Sequence, residues 1–423
     1  MRVLLVSANR EDISMVALPL GLAYVAEAAK AAGHDVRLID LARFEDPLDA
    51  LKVRLKEFDP KVIGVSVRNV DDQSRLNTRF LLDQARDAVA ICRRESAAPI
   101  VLGGAGFSIF PGQILEYLGA DAGIRGEGEE IFPAYLEALQ TGGEPSLPGL
   151  YLKGAGLTAP RAFIQDLDAM PWQNAHEWFD RTGCGPDTWM PIQTRRGCPL
   201  NCAYCSTPAI EGRRIRRRSP AAVAKAVAGM MEDGIERFYF TDNTFNLPPS
   251  YALELCRELA ALPDTPSWRC ILYPGRLSAE LVSAMKDAGC TELSLGFESG
   301  STETLSTLNK HFSKDEVRDA ARYLGDAGIQ RSGFLLLGAP GETEATVEES
   351  LRFADSLDLE MVKATVGIRI YPDTPLAATA EAKGLIPPGD DLLQPRFYLE
   401  PGLEDRLPAM VAQWVAAHPT WVG

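Results

Sequence analysis

From residue 1 to about 140 the chain alternates short apolar runs with stretches of helical period. The runs are Val3 to Val6, Val36 to Ile39, Val62 to Val67, Ile100 to Leu102 and Ala122 to Ile124. Helical patterns occupy Leu18 to Ala32, Pro47 to Phe58, Leu76 to Arg94, Pro111 to Leu118 and Glu129 to Leu139. Continuous Val/Ile/Leu runs are how parallel strands buried on both faces read. The spacing therefore predicts an α/β domain over residues 1–141, doubly wound and Rossmann-like, with five parallel strands between helices. Ligands of such sheets bind at the carboxyl ends of the strands.

Residues 142–188 lose the period and are punctuated by glycine and proline, which reads as a linker. From Trp189 the alternation resumes in longer units. Strand patterns lie near Met190 to Arg195, Arg237 to Thr241, Trp268 to Leu272, Glu292 to Leu295, Ser332 to Leu337 and Val362 to Ile370, with helical patterns between them. Six such units over residues 189–383 predict a partial (β/α)6 barrel of the TIM type, with its chemistry at the strand C-termini. Residues 384–423 form a proline-interrupted tail with one short helix, expected to cap part of the barrel.

Composition narrows the function classes. The 423 residues suffice for two or three domains and carry a net charge of -15, which argues against a nonspecific grip on nucleic acid or an anionic membrane. The N-terminal apolar run is too short for a signal peptide and no stretch reaches a membrane-spanning length, so a reducing cytoplasm is expected.

Three of the eight cysteines crowd into Arg195-Arg-Gly-Cys-Pro-Leu-Asn-Cys-Ala-Tyr-Cys205, directly after the first barrel strand. Thiolates at Cys198, Cys202 and Cys205 can hold three irons of a cubane and leave the fourth open for chemistry. Zinc would ask for a fourth ligand, and the nearest, Cys184 and His176, precede the loop across irregular chain. The loop resembles that of the radical S-adenosylmethionine (SAM) superfamily. The resemblance implies a 4Fe-4S cluster on Cys198, Cys202 and Cys205, with SAM chelated at the open iron and Tyr204 near its adenine.

Further stretches carry the resemblance in order. Phe240-Thr-Asp-Asn-Thr-Phe245 would bring Asp242 to the methionine amino group, although Asn243 stands where a second Asp is usual. Gly296-Phe-Glu-Ser-Gly300 would bring Glu298 and Ser299 to the ribose or methionine moiety. In Leu336-Leu-Gly-Ala-Pro-Gly-Glu342, Gly338 would let the chain pass the adenine closely. Arg269 and Arg276 are either partners for the methionine carboxylate or members of ordinary ion pairs.

The N-terminal sheet resembles the cobalamin-binding domain of one branch of that superfamily. The resemblance points to Leu20 in Pro19-Leu-Gly-Leu-Ala-Tyr24, Ser66 and Arg68 after the third run, Gly103 and Gly104 after the fourth, and Gly126 and Glu127 after the fifth. The Asp-x-His-x-x-Gly pattern that places a histidine under cobalt is missing, so cobalt without a histidine ligand is expected. Arg68 would lie beneath the corrin or bind the nucleotide phosphate, and as a protonated guanidinium it offers cobalt no lone pair. The basic run Arg213 to Arg218 would attract an anionic substrate, shield the cluster or simply be solvated.

The function implied is a cobalamin-dependent radical SAM methyltransferase that methylates an unactivated carbon of a small molecule, through methylcobalamin and a 5'-deoxyadenosyl radical. It would be fed by an external flavodoxin- or ferredoxin-like electron donor. A non-methylating radical reaction on the same domains, or a noncatalytic iron-sulfur or cobalamin-binding module, are the alternatives.

Overall fold

The computed structural model describes residues 1–11, 18–143, 145–179 and 188–423; Cys184 lies outside them. The chain divides into two compact units. The first comprises Met1–Asp72, Arg79–Thr188 and Ser206–Arg216; the second comprises Gln73–Thr78, Trp189–Cys205 and Arg217–Gly423.

The first unit is built on β1 (Arg2–Ser7), β2 (Asp35–Asp40), β3 (Val62–Ser66), β4 (Ile100–Gly103), β5 (Ala122–Ile124), β6 (Leu150–Leu152) and β7 (Gly156–Leu157), in the spatial order β2-β1-β3-β4-β5-β6-β7. The first five pair in parallel and β5, β6 and β7 pair antiparallel. The expected linker therefore extends the N-terminal sheet, and Ile164, Leu167 and Met170 beyond it form a small apolar cluster of their own. Strands of two and three residues are too short to display a period, which is why the sequence reads as irregular there.

The helix expected from Leu76 begins at Leu82, because Asp71 and Phe80 bridge across the intervening turn and the Arg79 guanidinium is held by Asp72 and Glu11. The strand order reverses between β1 and β3, so the ligand crevice of this sheet lies at their C-terminal ends. Gly104 shapes that end: it adopts φ +98°, and a Cβ on it would stand 2.6 Å from the Val67 carbonyl. This lets β4 turn beneath the end of β3, where Val67 N donates to Gly103 O (2.8 Å) and Gly106 N donates to the carbonyls of Val67 and Arg68 (3.0 Å each).

The second unit carries β8 (Met190–Ile192), β9 (Arg237–Phe240), β10 (Ser267–Leu272), β11 (Cys290–Glu298), β12 (Gln330–Leu337), β13 (Met361–Val366) and β14 (Trp421–Val422). All pair in parallel with their sequence neighbours, the order of a partial βα-barrel. The tail thus adds a seventh strand to the six expected. Residues alternate along each strand. Phe238, Phe240, Trp268 and Phe297 are buried against the helices, whereas Tyr239, Arg269, Ser294, Phe334 and Lys363 take the opposite face. The sixth barrel strand ends earlier than expected, because Gly367 turns left-handed at φ +79°.

Candidate functional site

The cysteine loop leaves β8 through Thr194, Arg195 and Arg196, all buried. Asp242, just past β9, fixes this exit. Its carboxylate accepts from Thr194 N (2.8 Å), Thr194 Oγ1 (2.5 Å), Arg195 N (3.0 Å) and Arg195 Nε (3.1 Å), and it is 1% exposed. Such a carboxylate has no free face for a ligand. Asp242 is therefore a positioning group for the loop rather than the SAM contact expected.

Beyond Gly197, at φ +88°, run Cys198, Cys202 and Cys205, none of them in a disulfide, the first buried and the other two half-buried. The segment after the helix Thr302–Thr307 pins them from the side. Leu308 O accepts from Ala203 N (3.0 Å), Asn309 Nδ2 donates to Asn201 O (2.9 Å), and His311 Nε2 lies 3.0 Å from Asn201 Oδ1. No group of donors among the described residues converges as a single metal ion requires. Three thiols on one clamped loop fit a cubane instead, whose irons are spread over a wider body than one ion.

Tyr204, inside the loop, donates its hydroxyl to Glu298 Oε1 (2.8 Å), and Lys310 Nζ binds both Tyr204 Oη (3.0 Å) and Glu298 Oε1 (3.2 Å). Glu298 is presented by a bulge in β11, with φ +64°. Burial pushes the Tyr204 hydroxyl well above its usual pKa, and the neighbouring Glu298 charge adds to this. Burial alone would lower the Lys310 pKa, but Glu298 and then Tyr204 and Cys202 outweigh it and hold the ammonium charged. Lys310, Asn309 and His311 escaped the sequence reading; the one signal for them is a polar Asn-Lys-His between the apolar Leu308 and Phe312.

Ser299 is fully buried and turned away from this group. Its hydroxyl pairs with Ser350 Oγ (2.8 Å) and accepts from Ser301 N (3.0 Å), so it ties β11 to the helix Glu344–Asp355 and does not reach a ligand. Gly338 ends β12 at φ +96°, and its N donates to Glu342 Oε2 (2.5 Å), as does Ala339 N (3.0 Å). The other oxygen, Glu342 Oε1, is buried without a hydrogen-bond partner.

Burial raises the Glu342 pKa from 4.5 to about 7, against the two amide bonds. The folded chain thus binds a proton that the unfolded chain releases near 4.5, so this contribution is complete below that pH and is lost as pH rises through about 7. The shift corresponds to about 3 kcal/mol at most. Chemical denaturation is expected to show stability falling between pH 5 and 8, and Glu342→Gln is expected to flatten that fall.

In the first unit, Arg68 is exposed just past β3, Ser66 and Leu20 are half-buried, and Gly103 has open space where a Cβ would stand. Open backbone at a strand-end crevice fits the edge of a flat macrocycle. Gly126 N donates to Ser108 Oγ (2.9 Å) at φ +93°. Glu127 departs from expectation: Oε1 pairs with Arg216 Nη1 (2.5 Å) and Oε2 accepts from Ile164 N (2.6 Å), both side chains nearly fully buried. It is a structural anchor and not a ligand contact. The basic run divides accordingly, with Arg216 and Arg218 buried and Arg213, Arg214 and Arg217 exposed. Arg269 pairs with Glu292 (3.6 Å) and stacks on Trp189, and Arg276 is exposed.

Two family models match the chain: the radical SAM superfamily over residues 192–354 and the B12 binding domain over residues 7–136. An uncharacterized methyltransferase of Pyrococcus horikoshii is 29% identical, covering 91% of this chain and 84% of its own. Tryptophan 2-C-methyltransferase of Streptomyces laurentii is 24% identical, covering 87% and 73%. Among solved structures, the radical SAM methyltransferase TsrM from Kitasatospora setae, with cobalamin and a 4Fe-4S cluster bound, superposes with TM-score 0.85 at 24% identity, covering 100% of this chain and 90% of that one. Among the described residues no helix is long and apolar enough to cross a membrane.

Proposed function

Because the chain joins a B12-binding domain to a radical SAM domain, and so belongs to the cobalamin-binding branch of the radical SAM enzymes, we propose that it transfers a methyl group from SAM to an unactivated carbon, or another poor nucleophile, of a small molecule. The observation that carries this reading is the clamped three-thiol loop of the second unit, on a chain whose first unit ends its strands in open glycine backbone. The methyltransferases among its relatives support the choice of methyl transfer.

When bound, the cluster supplies the electron and cobalamin the methyl-carrying cobalt that amino-acid side chains lack. The chain's own groups bind and orient. Cys198, Cys202 and Cys205 hold the cluster. Glu298, with Oε1 fixed by Tyr204 and Lys310, offers Oε2 to the hydroxyl or ammonium donors of SAM. The Gly338 turn ends the fifth barrel strand with Leu399 packed where a Cβ would stand, and so shapes the backbone that would pass the adenine. Gly103, Gly104, Gly126, Leu20 and Ser66 would hold the corrin edge, and Arg68, a protonated guanidinium that offers cobalt no lone pair, would serve the corrin or the phosphate of its nucleotide tail. Ser294, Ser332, Lys363 and Thr365 alternate with the buried strand residues, and a substrate would lie against the face they share. A flavodoxin- or ferredoxin-like protein of the cytoplasm delivers the electron.

The test is anaerobic incubation of cluster-loaded protein with SAM, dithionite and a small-molecule cell extract, with and without cobalamin. S-adenosylhomocysteine and a product one methyl heavier, both requiring cobalamin, are expected. Formation of 5'-deoxyadenosine with no S-adenosylhomocysteine would replace methyl transfer by another radical outcome.

A further inference from the structure

Lys310 is the one ammonium among the described residues that sits inside the cysteine loop's own hydrogen-bond network, and its side chain is only 5% exposed. A lysine so deeply buried is rare unless it is paired. Its pairing is unequal. Glu298 Oε1 lies 3.2 Å away, the neutral Tyr204 hydroxyl 3.0 Å, and the Tyr204 ring centroid 5.2 Å beneath the charge. The charge of the ammonium also reaches Cys202, where it opposes the rise that burial imposes on the thiol.

The backbone fixes this placement. Lys310 lies between Asn309, at φ +59° and bonded to Asn201 O, and His311, whose N donates to Tyr273 Oη (2.8 Å). The same five-residue segment that clamps the loop therefore carries the cation to it.

We infer that Lys310 is a positioning and tuning residue for the cluster: its buried positive charge, hydrogen-bonded to Tyr204 inside the cysteine loop, raises the reduction potential of the cluster, and Glu298 moderates that effect. The physical reason is simple. Reduction adds one electron, and hence one negative charge, to the cubane without any proton. In a low-dielectric pocket a fixed cation held against the loop that carries the ligating sulfurs favours the reduced state. Second-sphere donors to cluster sulfurs are among the recognised levers on such potentials. The inference rests on the proposed cluster.

The experiment is a dithionite-mediated redox titration of reconstituted protein, followed by electron paramagnetic resonance of the reduced cluster, with iron and sulfide content measured in each sample. Lys310→Met is expected to disfavour reduction at least tenfold, about 59 mV downward for a one-electron couple, and Lys310→Arg to restore most of it. Glu298→Gln removes the opposing charge and is expected to shift the equilibrium upward. A merely structural role cannot move the two variants in opposite directions. If Lys310→Met fails to retain iron, Glu298→Gln decides alone: an upward shift supports the inference, and an unchanged or lowered potential overturns it. Unchanged potentials in fully loaded Lys310→Met also overturn it, and a wild-type chain that takes up no iron overturns it together with the cluster assignment.

Discussion

Alanine at any one of Cys198, Cys202 or Cys205 is expected to abolish SAM cleavage and the iron-sulfur absorbance while leaving the chain folded. The first half follows from ligand count. A cubane with one open iron already uses every thiolate the loop offers, so loss of one leaves two irons without protein ligands. Among the described residues of the second unit the other cysteines, Cys256, Cys270 and Cys290, are buried, and burial pushes the Cys256 and Cys270 thiols well above their usual pKa.

The second half follows from how the loop is held. Its fastenings are backbone or amide groups of Ala203 and Asn201, bonded to Leu308, Asn309 and His311, and Leu376 N donates to Ala203 O (2.9 Å). None of these involves a cysteine sulfur. Removing a half-buried thiol therefore costs on the order of 1 kcal/mol in the unloaded chain. Circular dichroism and thermal melts of the unloaded variants against unloaded wild type check the fold, and iron content with 5'-deoxyadenosine yield checks the chemistry. A variant that keeps both iron and cleavage would remove the loop from the mechanism.

The two layers of this chain were unequally visible in its sequence. The parallel strands were, because burial on both faces leaves a continuous apolar run such as Val3–Val6. So was the cysteine loop, because its ligands lie within eight residues. What sequence could not disclose was which polar residues are consumed by the fold. Asp242 and Glu127 sit in motifs that invite a ligand, yet each is occupied by an arginine, Arg195 and Arg216, 47 and 89 residues away. Ser299 is likewise spent on Ser350. Lys310 is the converse: nothing local marks it, since its importance comes from a loop more than a hundred residues earlier. Partnership between polar groups depends on long-range packing, and a motif carries no record of it.

Asp242 also supplies the largest expected effect on stability. Arg195 is 3% exposed, lies 5.3 Å from the Phe245 ring centroid and 4.6 Å from that of Tyr251, and donates through Nη1 to Leu247 O (2.9 Å). The rings attract its charge, but the compensating anion is Asp242. Asp242→Ala leaves that guanidinium buried with no counter-charge and strips the acceptor from Thr194 N and Arg195 N, for which breaking a buried pair suggests about 3–5 kcal/mol. For a unit of roughly two hundred residues this is a drop in melting temperature on the order of 10 °C. Because Thr194 and Arg195 lead straight into Gly197 and Cys198, the same variant is expected to take up less iron than wild type even below its melting point. The cost should come from the orphaned cation and not from the missing contact itself. An Arg195→Met, Asp242→Leu double variant is therefore expected to melt well above Asp242→Ala, since an apolar pair of similar bulk carries no uncompensated charge. If the double variant is instead as unstable as the sum of its two single variants, the pair does not act as a unit and the clamp on the cysteine loop lies elsewhere.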